Sequence, residues 1–229
     1  MPILTEIRVP RRGSRRRTLV LDGEPWRDAP SDVISEAHLK PGAEIEPGDL
    51  SERLAEIEPR CARDRAVRLL TYRERSMKEL SDRLHEDGYL PATVAEALER
   101  LAAAGLLDDD RFARSLARNL TQIRRLGRSR AARELTAHGI DPLLAEEALD
   151  EALSVDDESA AAGELARTLA VKTGATRDKI ASRLLRRGYA PRVALTAARE
   201  AMSAVESAVD EESWEGSDPD GPSDGLDGL

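Results

Sequence analysis

Three related stretches decide how this chain folds: LSDRLHEDGYLP at residues 80–91, AARELTAHGIDP at residues 131–142 and IASRLLRRGYAP at residues 180–191. In each stretch, aliphatic residues spaced for one helical face lead to a glycine, and a proline follows three residues later. Glycine accepts the left-handed conformation that ends a helix, and proline suits the first turn of the next helix. The glycines are 51 and 49 residues apart. The chain is therefore predicted to contain three tandem three-helix repeats.

The predicted fold is mainly α-helical: helix-turn-helix-like repeats form an elongated body between a β-containing N-terminal region and an acidic tail. The predicted boundaries are residues 1–47 for a small β-meander, 48–59 for a short linker helix, 60–107, 108–153 and 154–205 for the three repeats, and 206–229 for a disordered acidic tail. Pro59 is expected to end the linker helix, since proline cannot donate a backbone hydrogen bond. The tail consists of Asp, Gly, Ser and Pro with little to bury, which predicts disorder.

The N-terminal region has the pattern of strands rather than helices. Ile3, Thr5, Ile7 and Val9 alternate as in a half-buried strand. Asp22-Gly23 is a favourable two-residue turn between two further strands. After these strands, Ser31 or Asp32 is expected to cap a short helix.

Composition supports a helical protein of the cytoplasm. Aromatic residues make up only 3% of the 229 residues, while Ala, Leu, Arg and Glu, which favour helices, are abundant. We find no apolar run that predicts a transmembrane helix and no signal peptide. Cys61 is the single cysteine, so no intramolecular disulfide can form, which fits a reducing compartment.

The net charge of -9 is concentrated at the C-terminus. Nine acidic residues and no basic residue follow Val205, so residues 1–205 carry 35 acidic and 35 basic side chains. Within this neutral body, residues 111–133 contain eight arginines and no acid. The acidic net charge therefore does not exclude a polyanionic partner.

A helix over residues 108–126 would separate an apolar face from a basic one. Phe112, Leu116, Leu120 and Ile123 share one arc, and four arginines lie nearly opposite. A second basic face is expected in the third repeat, and a third basic patch in the arginine-rich loop of residues 10–17. The candidate contact residues for a protein or DNA partner are Arg111, Arg114, Arg118, Arg125, Arg128, Lys179, Arg183 and Arg186. Because guanidinium groups bind phosphates and carboxylates alike, these residues alone do not choose between the two partners.

No residue pattern points to catalysis, a metal or a cofactor. Asp108–Asp110 are interpreted as a helix N-terminal cap, where the helix dipole favours negative charge. The histidines (His38, His85 and His138) and Cys61 lack partners at ligand-like or catalytic spacing. We therefore predict that the protein is not an enzyme and takes neither a cofactor nor a small-molecule substrate.

Five short motifs stand out along the chain: GLLDDDRFA at residues 105–113, Leu126-Gly127-Arg128, LLRRGY at residues 184–189, and, in the N-terminal region, LDGE at residues 21–24 and LKPG at residues 39–42. Together these motifs resemble the RecX family, regulators of the bacterial RecA recombinase. The resemblance covers nearly the whole chain up to Val205, and the acidic tail departs from it. It implies three-helix repeats that lie along the groove of the RecA filament and restrain recombinase, ATPase and coprotease activities in DNA repair and the SOS response.

The resemblance implies the RecA filament and single- or double-stranded DNA as partners, and we expect a monomer that does not engage membranes. The alternative is a module that binds DNA directly through its helix-turn-helix-like corners. A third possibility is a helical scaffold whose arginines are only solvated. The acidic tail is further expected to compete with DNA for the basic surfaces.

Overall fold

The computed structural model describes residues 1–172 and 175–215, with side chains up to residue 208. These residues form two compact units, the first from residues 1–116 with 134–148 and the second from residues 117–133 with the chain from 149 onward. Because this division runs through the second repeat, that repeat contributes to both units.

The described residues form three strands and ten α-helices. The strands are β1 (Leu4–Arg8), β2 (Arg16–Leu21) and β3 (Glu24–Pro30). The helices are α1 (Ser31–Glu36), α2 (Pro47–Tyr72), α3 (Met77–Asp87), α4 (Pro91–Ala103), α5 (Asp109–Arg118), α6 (Arg128–Ala137), α7 (Pro142–Ala152), α8 (Val155–Ala170), α9 (Arg177–Arg186) and α10 (Pro191–Glu215). None of these helices is long and apolar enough to span a bilayer.

The N-terminal strands form the predicted meander, an antiparallel sheet in the order β1-β2-β3. Asp22 and Gly23 both have positive φ, as the tight turn between β2 and β3 requires. The predicted inward face of β1 is wrong in part, because Ile3, Thr5 and Val9 are exposed and Leu4 is fully buried, whereas Ile7 packs against the core. A register shift between Leu4 and Glu6 explains the difference, since a bulge changes which side chains face the core.

Helix α1 begins where predicted, but neither Ser31 nor Asp32 caps it. Pro30 precedes its first turn without a side-chain hydrogen bond. The Asp32 carboxylate instead accepts a hydrogen bond from Tyr89 Oη at 2.7 Å and pairs with Arg15 at 3.0 Å. Long-range partners thus replace the local cap.

Pro59 does not end a linker helix, and this prediction is wrong. Helix α2 continues through Pro59 and joins the predicted linker to the first helix of the first repeat. An interior proline costs a helix about 3 kcal/mol. Leu54 before Pro59 and Ala62 and Ala66 after it are fully buried in one core, and this shared burial favours the uninterrupted helix.

The three glycine corners that predict the repeats are confirmed. Gly88, Gly139 and Gly188 have φ values of +101°, +85° and +91°. Helices α4, α7 and α10 each begin at the proline that follows the glycine. Local sequence alone therefore specifies these turns.

Each later corner packs closely on the preceding repeat. In the first unit, a Cβ on Gly139 would lie 2.3 Å from Lys78 Cβ, and the Ser76 hydroxyl donates a hydrogen bond to the His138 carbonyl. In the second unit, a Cβ on Gly188 would lie 2.4 Å from Arg130 Cβ. Glycine is therefore required at both corners for its conformation and for its small size.

Helix α10 extends beyond the predicted end of the third repeat. Helix α10 continues ten residues past Val205, to Glu215. The expected disorder therefore does not begin at Glu206. Residues 206–215 are free of glycine and proline, and Gly216 is the first residue that disfavours a helix. The remainder of the predicted tail, residues 216–229, lies outside the described residues.

Candidate protein and nucleic-acid interface

Helix α5 carries three of the candidate arginines, Arg111, Arg114 and Arg118, which we call the arginine row. Asp108 caps the helix as predicted, since its carboxylate accepts a hydrogen bond from the Arg111 amide at 2.9 Å. Spacings of three and four residues place the arginines on one face. Arg111 and Arg118 are exposed and Arg114 is half-buried.

The apolar face opposite this row differs from the prediction after Arg118. The predicted single helix over residues 108–126 gives way to a π-helical turn over Asn119–Ile123. A π turn contains more residues than an α turn and so rotates the following side chains. Thr121 is consequently buried, with its hydroxyl donating to the Ala117 carbonyl at 2.9 Å. Ile123, predicted to face the core, is 75% exposed.

The members of the arginine row differ in their partners. Arg111 lies 3.7 Å from the Glu74 carboxylate, and Arg114 lies 3.1 Å from Asp110 one turn before it. The Arg118 side chain has no hydrogen-bonding or ion-pair partner among the described residues. Because an exposed ion pair is worth little, Arg111 and Arg118 remain available to a competing anion.

Arg125 and Arg128, in the second unit, participate in the packing between helices. Arg125 Nη1 lies 3.0 Å from a Glu164 carboxylate oxygen on α8. Arg128 Nη2 lies 2.6 Å from Asp150 Oδ1 on α7. These ion pairs link the turn between α5 and α6 to later helices, a contribution that the sequence pattern did not reveal.

The remaining candidates lie along a cleft in the second unit, between α8 and α9. Lys179, Arg183 and Arg186 line it together with Lys172, and no carboxylate does so. The cleft has a volume of about 400 Å³. We call it the basic cleft, and its four cations and concave shape suit it to an anionic chain.

Arg187 and Tyr189 stabilise the turn that leads into α6. Arg187 Nη1 donates to the carbonyls of Arg124 and Arg125 at 3.0 and 3.2 Å. The Tyr189 hydroxyl donates to the Arg125 carbonyl at 2.9 Å, and burial raises the pKa of this phenol. Arg125 itself has a positive φ of 51°, which these bonds help to hold. Sequence reasoning missed this role, because the carbonyls that Arg187 and Tyr189 bind lie more than sixty residues away in the chain.

His138 contacts two side chains of the first unit. Its Nδ1 lies 2.9 Å from Glu79 Oε1, and its ring meets Phe112 edge-on at 6.0 Å. Burial favours a higher pKa for Glu79, but hydrogen bonds from Arg73 and His138 and the charges of these residues outweigh it. The pKa of Glu79 is therefore lowered.

Other groups singled out by the sequence also have structural partners. Asp109 accepts a hydrogen bond from the Met77 amide at 2.7 Å and so satisfies the first amide of α3, which Ser76 caps. Burial raises the pKa of the Cys61 thiol, which disfavours the reactive thiolate. Among the described residues, no three His, Cys, Asp or Glu side chains are placed to hold a metal ion.

Comparisons with known proteins identify two of the repeats directly. The model of the RecX first three-helix domain matches residues 62–101, and that of the RecX second three-helix domain matches residues 108–149. These segments contain α3 with α4 and α5 through most of α7. The third repeat lies outside both matches and is recognised by its own glycine corner.

Relatives with the same name match a larger part of the chain. The regulatory protein RecX of Streptomyces lividans is 31% identical over 173 residues, covering 72% of this chain and 92% of the relative. That of Bacillus subtilis strain 168 is 31% identical over 159 residues, covering 69% of this chain but only 60% of the relative.

A solved structure supports the fold. The crystal structure of a regulatory protein RecX covers 84% of this chain and 97% of its own, with a TM-score of 0.57 and 21% identity. That likeness shows the architecture, whereas the sequence identity and coverage of the Streptomyces relative show the family. The repeats, their glycine corners and these matches together establish that the chain belongs to the RecX family.

Proposed function

We propose that this protein binds the RecA nucleoprotein filament and modulates it, mostly by inhibition of its recombinase, ATPase and coprotease activities. Membership of a family whose members are named regulatory proteins carries this proposal. The arginine row supports it, because exposed guanidinium groups on one helix can bind the carboxylates of a protein or the phosphates of its DNA. In this account the protein acts as a cytoplasmic monomer, without a cofactor or catalytic chemistry.

Contacts with several RecA protomers would strengthen such binding. A chain of similar repeats can meet a filament of identical protomers at more than one place, and each added contact then forms at a high effective concentration. Individually weak surface contacts would therefore be sufficient for stable binding.

The test is ATP hydrolysis by purified RecA on single-stranded DNA, titrated with the full-length protein. We expect hydrolysis to fall as the protein is added. If folded protein leaves hydrolysis unchanged at every stoichiometry, the proposal is refuted.

Arg118 provides the most informative variant, because within the described part of the chain its side chain has no hydrogen-bonding or ion-pair partner whose loss could disturb the fold. Arg118→Glu should weaken the inhibition. Arg192→Glu is the matched control, since Arg192 is an exposed arginine of α10 and receives the same change of charge. Equal inhibition by Arg118→Glu and the control would favour a scaffold whose arginine row is only solvated.

Direct DNA binding is the second candidate function, and the basic cleft favours it. The four cations that line this cleft suit a phosphate backbone, where binding depends on charge rather than base sequence. This function predicts binding to oligo(dT) without RecA, with a steep loss of affinity as salt rises. Arg183→Glu should weaken that binding more than Arg192→Glu does. Tight RecA binding together with negligible DNA binding would exclude this candidate.

A further inference from the structure

A second cleft lies in the first unit, between the β1–β2 loop and the end of α3. It has a volume of about 540 Å³ and is lined by five arginines and two carboxylates, which leaves an excess of three positive charges. We call it the hairpin cleft. The loop that forms one of its walls precedes both segments that match the RecX domains.

The carboxylates of the hairpin cleft are already occupied by the fold. Asp87 is only 1% exposed, and its oxygens lie 2.7 Å from Arg65 Nε and 3.2 Å from Arg83 Nη2. Glu86 lies 3.0 Å from Arg83 Nη1. These acids therefore mainly neutralise Arg65 and Arg83. Of the loop arginines, Arg15 also approaches Asp87, with its Nε 3.9 Å from the carboxylate.

Two of the loop arginines form a fixed wall. Arg15 Nη2 lies 3.0 Å from Asp32, and Arg16 Nη2 donates to the His85 carbonyl at the end of α3, at 2.7 Å. The Nε atoms of Arg15 and Arg16 are shielded from solvent and lack a hydrogen-bond partner among the described residues. Arg16 Nη1 also lies 3.6 Å from Asp28, so the fold holds both side chains in place.

Arg11 and Arg12 are the free cations of this cleft. Both are exposed, and neither side chain has a hydrogen-bonding or ion-pair partner among the described residues. The Ser14 amide donates to the Arg11 carbonyl at 3.0 Å, and Gly13 takes a positive φ of 81°. This tight turn holds the two side chains beside the wall that Arg15 and Arg16 form.

We propose that the hairpin cleft binds the phosphate groups of a DNA strand. Charge density favours DNA over an acidic protein surface. A strand of duplex DNA carries one phosphate about every 3.4 Å along its axis and no positive charge. Successive phosphates can therefore meet clustered arginines, whereas carboxylates on a protein surface are interspersed with other groups. This site is additional to the proposed RecA contacts and does not depend on them.

The test compares a double variant with a matched control. Arg11→Gln with Arg12→Gln removes the two free cations without breaking any contact in the described chain. Arg60→Gln with Arg100→Gln makes the same change of net charge at two exposed arginines of the first unit that lie outside the cleft. Binding of fluorescein-labelled oligo(dT) to the full-length proteins is measured by fluorescence anisotropy over a series of salt concentrations.

The salt dependence of oligo(dT) binding shows how many phosphate contacts the two arginines make. Each phosphate contact on single-stranded DNA contributes about 0.7 to the slope of log affinity against log salt. The cleft variant should therefore lose about 1.4 from this slope and bind more weakly, while the control stays close to the unmodified protein. Equal changes in the two double variants would show a general effect of charge and overturn the proposal, as would an unchanged cleft variant.

A second probe separates DNA from an acidic protein. If labelled polyglutamate of matched charge binds in a way that depends on Arg11 and Arg12 while oligo(dT) binding does not, the cleft is a protein site and the proposal is wrong. Circular dichroism melting of each variant verifies that the fold is retained. Since no RecA is present, a failure of this test leaves the filament proposal untouched.

Discussion

The close approach at Gly188 predicts a large difference between two glycine substitutions. At Gly105, φ is +68° and an added Cβ would meet nothing within 4 Å. An alanine there is disfavoured only by the left-handed backbone conformation, which lowers the free energy of unfolding by about 1–2 kcal/mol. The smaller conformational freedom of the unfolded alanine chain offsets about 0.4–1 kcal/mol of that cost. Gly105→Ala should therefore destabilise the protein by about 1 kcal/mol.

Gly188→Ala adds steric overlap to the same backbone cost. The new Cβ would lie 2.4 Å from Arg130 Cβ and 2.5 Å from the Arg130 amide nitrogen, so the two backbones must separate. That movement strains the hydrogen bonds from Gly127 N to the Arg187 carbonyl at 3.0 Å and from Ser129 N to the Gly188 carbonyl at 3.2 Å. Overpacking costs about 2 kcal/mol, within a range of about 1–3, and each of the two weakened bonds costs about 0.5 kcal/mol, which add to the backbone cost of about 1 kcal/mol. The expected total is about 4 kcal/mol.

Urea unfolding followed by circular dichroism measures both substitutions. The expected difference of about 3 kcal/mol between them corresponds to a Tm lower by about 6–12 °C for Gly188→Ala, from about 2–4 °C per kcal/mol for a chain of this size. Equal stability of the two variants would show that the corner does not approach α6 this closely, and the argument from repeat packing would fail.

Three further predictions concern single side chains. The pKa of Glu79 is lower in the folded than in the unfolded protein, so its ionised form adds stability above the unfolded pKa, and this contribution is lost as pH falls through the folded pKa. The stability difference between the native protein and Glu79→Gln should accordingly shrink in acid, and a constant difference in urea titrations across pH would contradict the His138 contact. Asp108→Ala should cost about 1 kcal/mol through loss of the α5 cap, whereas Asp110→Ala, which removes an exposed ion pair, should cost less than half as much in the same assay. Cys61 should react with a thiol reagent only at the rate of unfolding, and immediate labelling of folded protein would contradict its burial.

The repeats could be predicted because their signals are local. Gly139 and Pro142 specify the end of one helix and the start of the next within four residues, whatever surrounds them. The turn at Asp22-Gly23 is local in the same sense. The motif LLRRGY at residues 184–189 is local too, since it extends from α9 through the corner that ends this helix.

The features that could not be predicted depend on distant partners. Helix α2 crosses Pro59 because residues on both sides share one core, and the sequence near Pro59 does not contain that information. The π turn that exposes Ile123 could not be predicted either, because the sequence pattern assumes a constant helical period. The sequence pattern places Arg125 and Arg128 on a basic surface. Their ion pairs with Glu164 and Asp150 depend on how the helices pack, which the pattern does not show.

The central claim is that this chain regulates RecA through its surface and without chemistry of its own. The most direct measurement is RecA-dependent ATP hydrolysis on single-stranded DNA, titrated with the full-length protein and with Arg118→Glu. The account predicts that hydrolysis falls with the unmodified protein and falls less with the variant. Hydrolysis that stays constant at every ratio of folded protein to RecA would contradict the account.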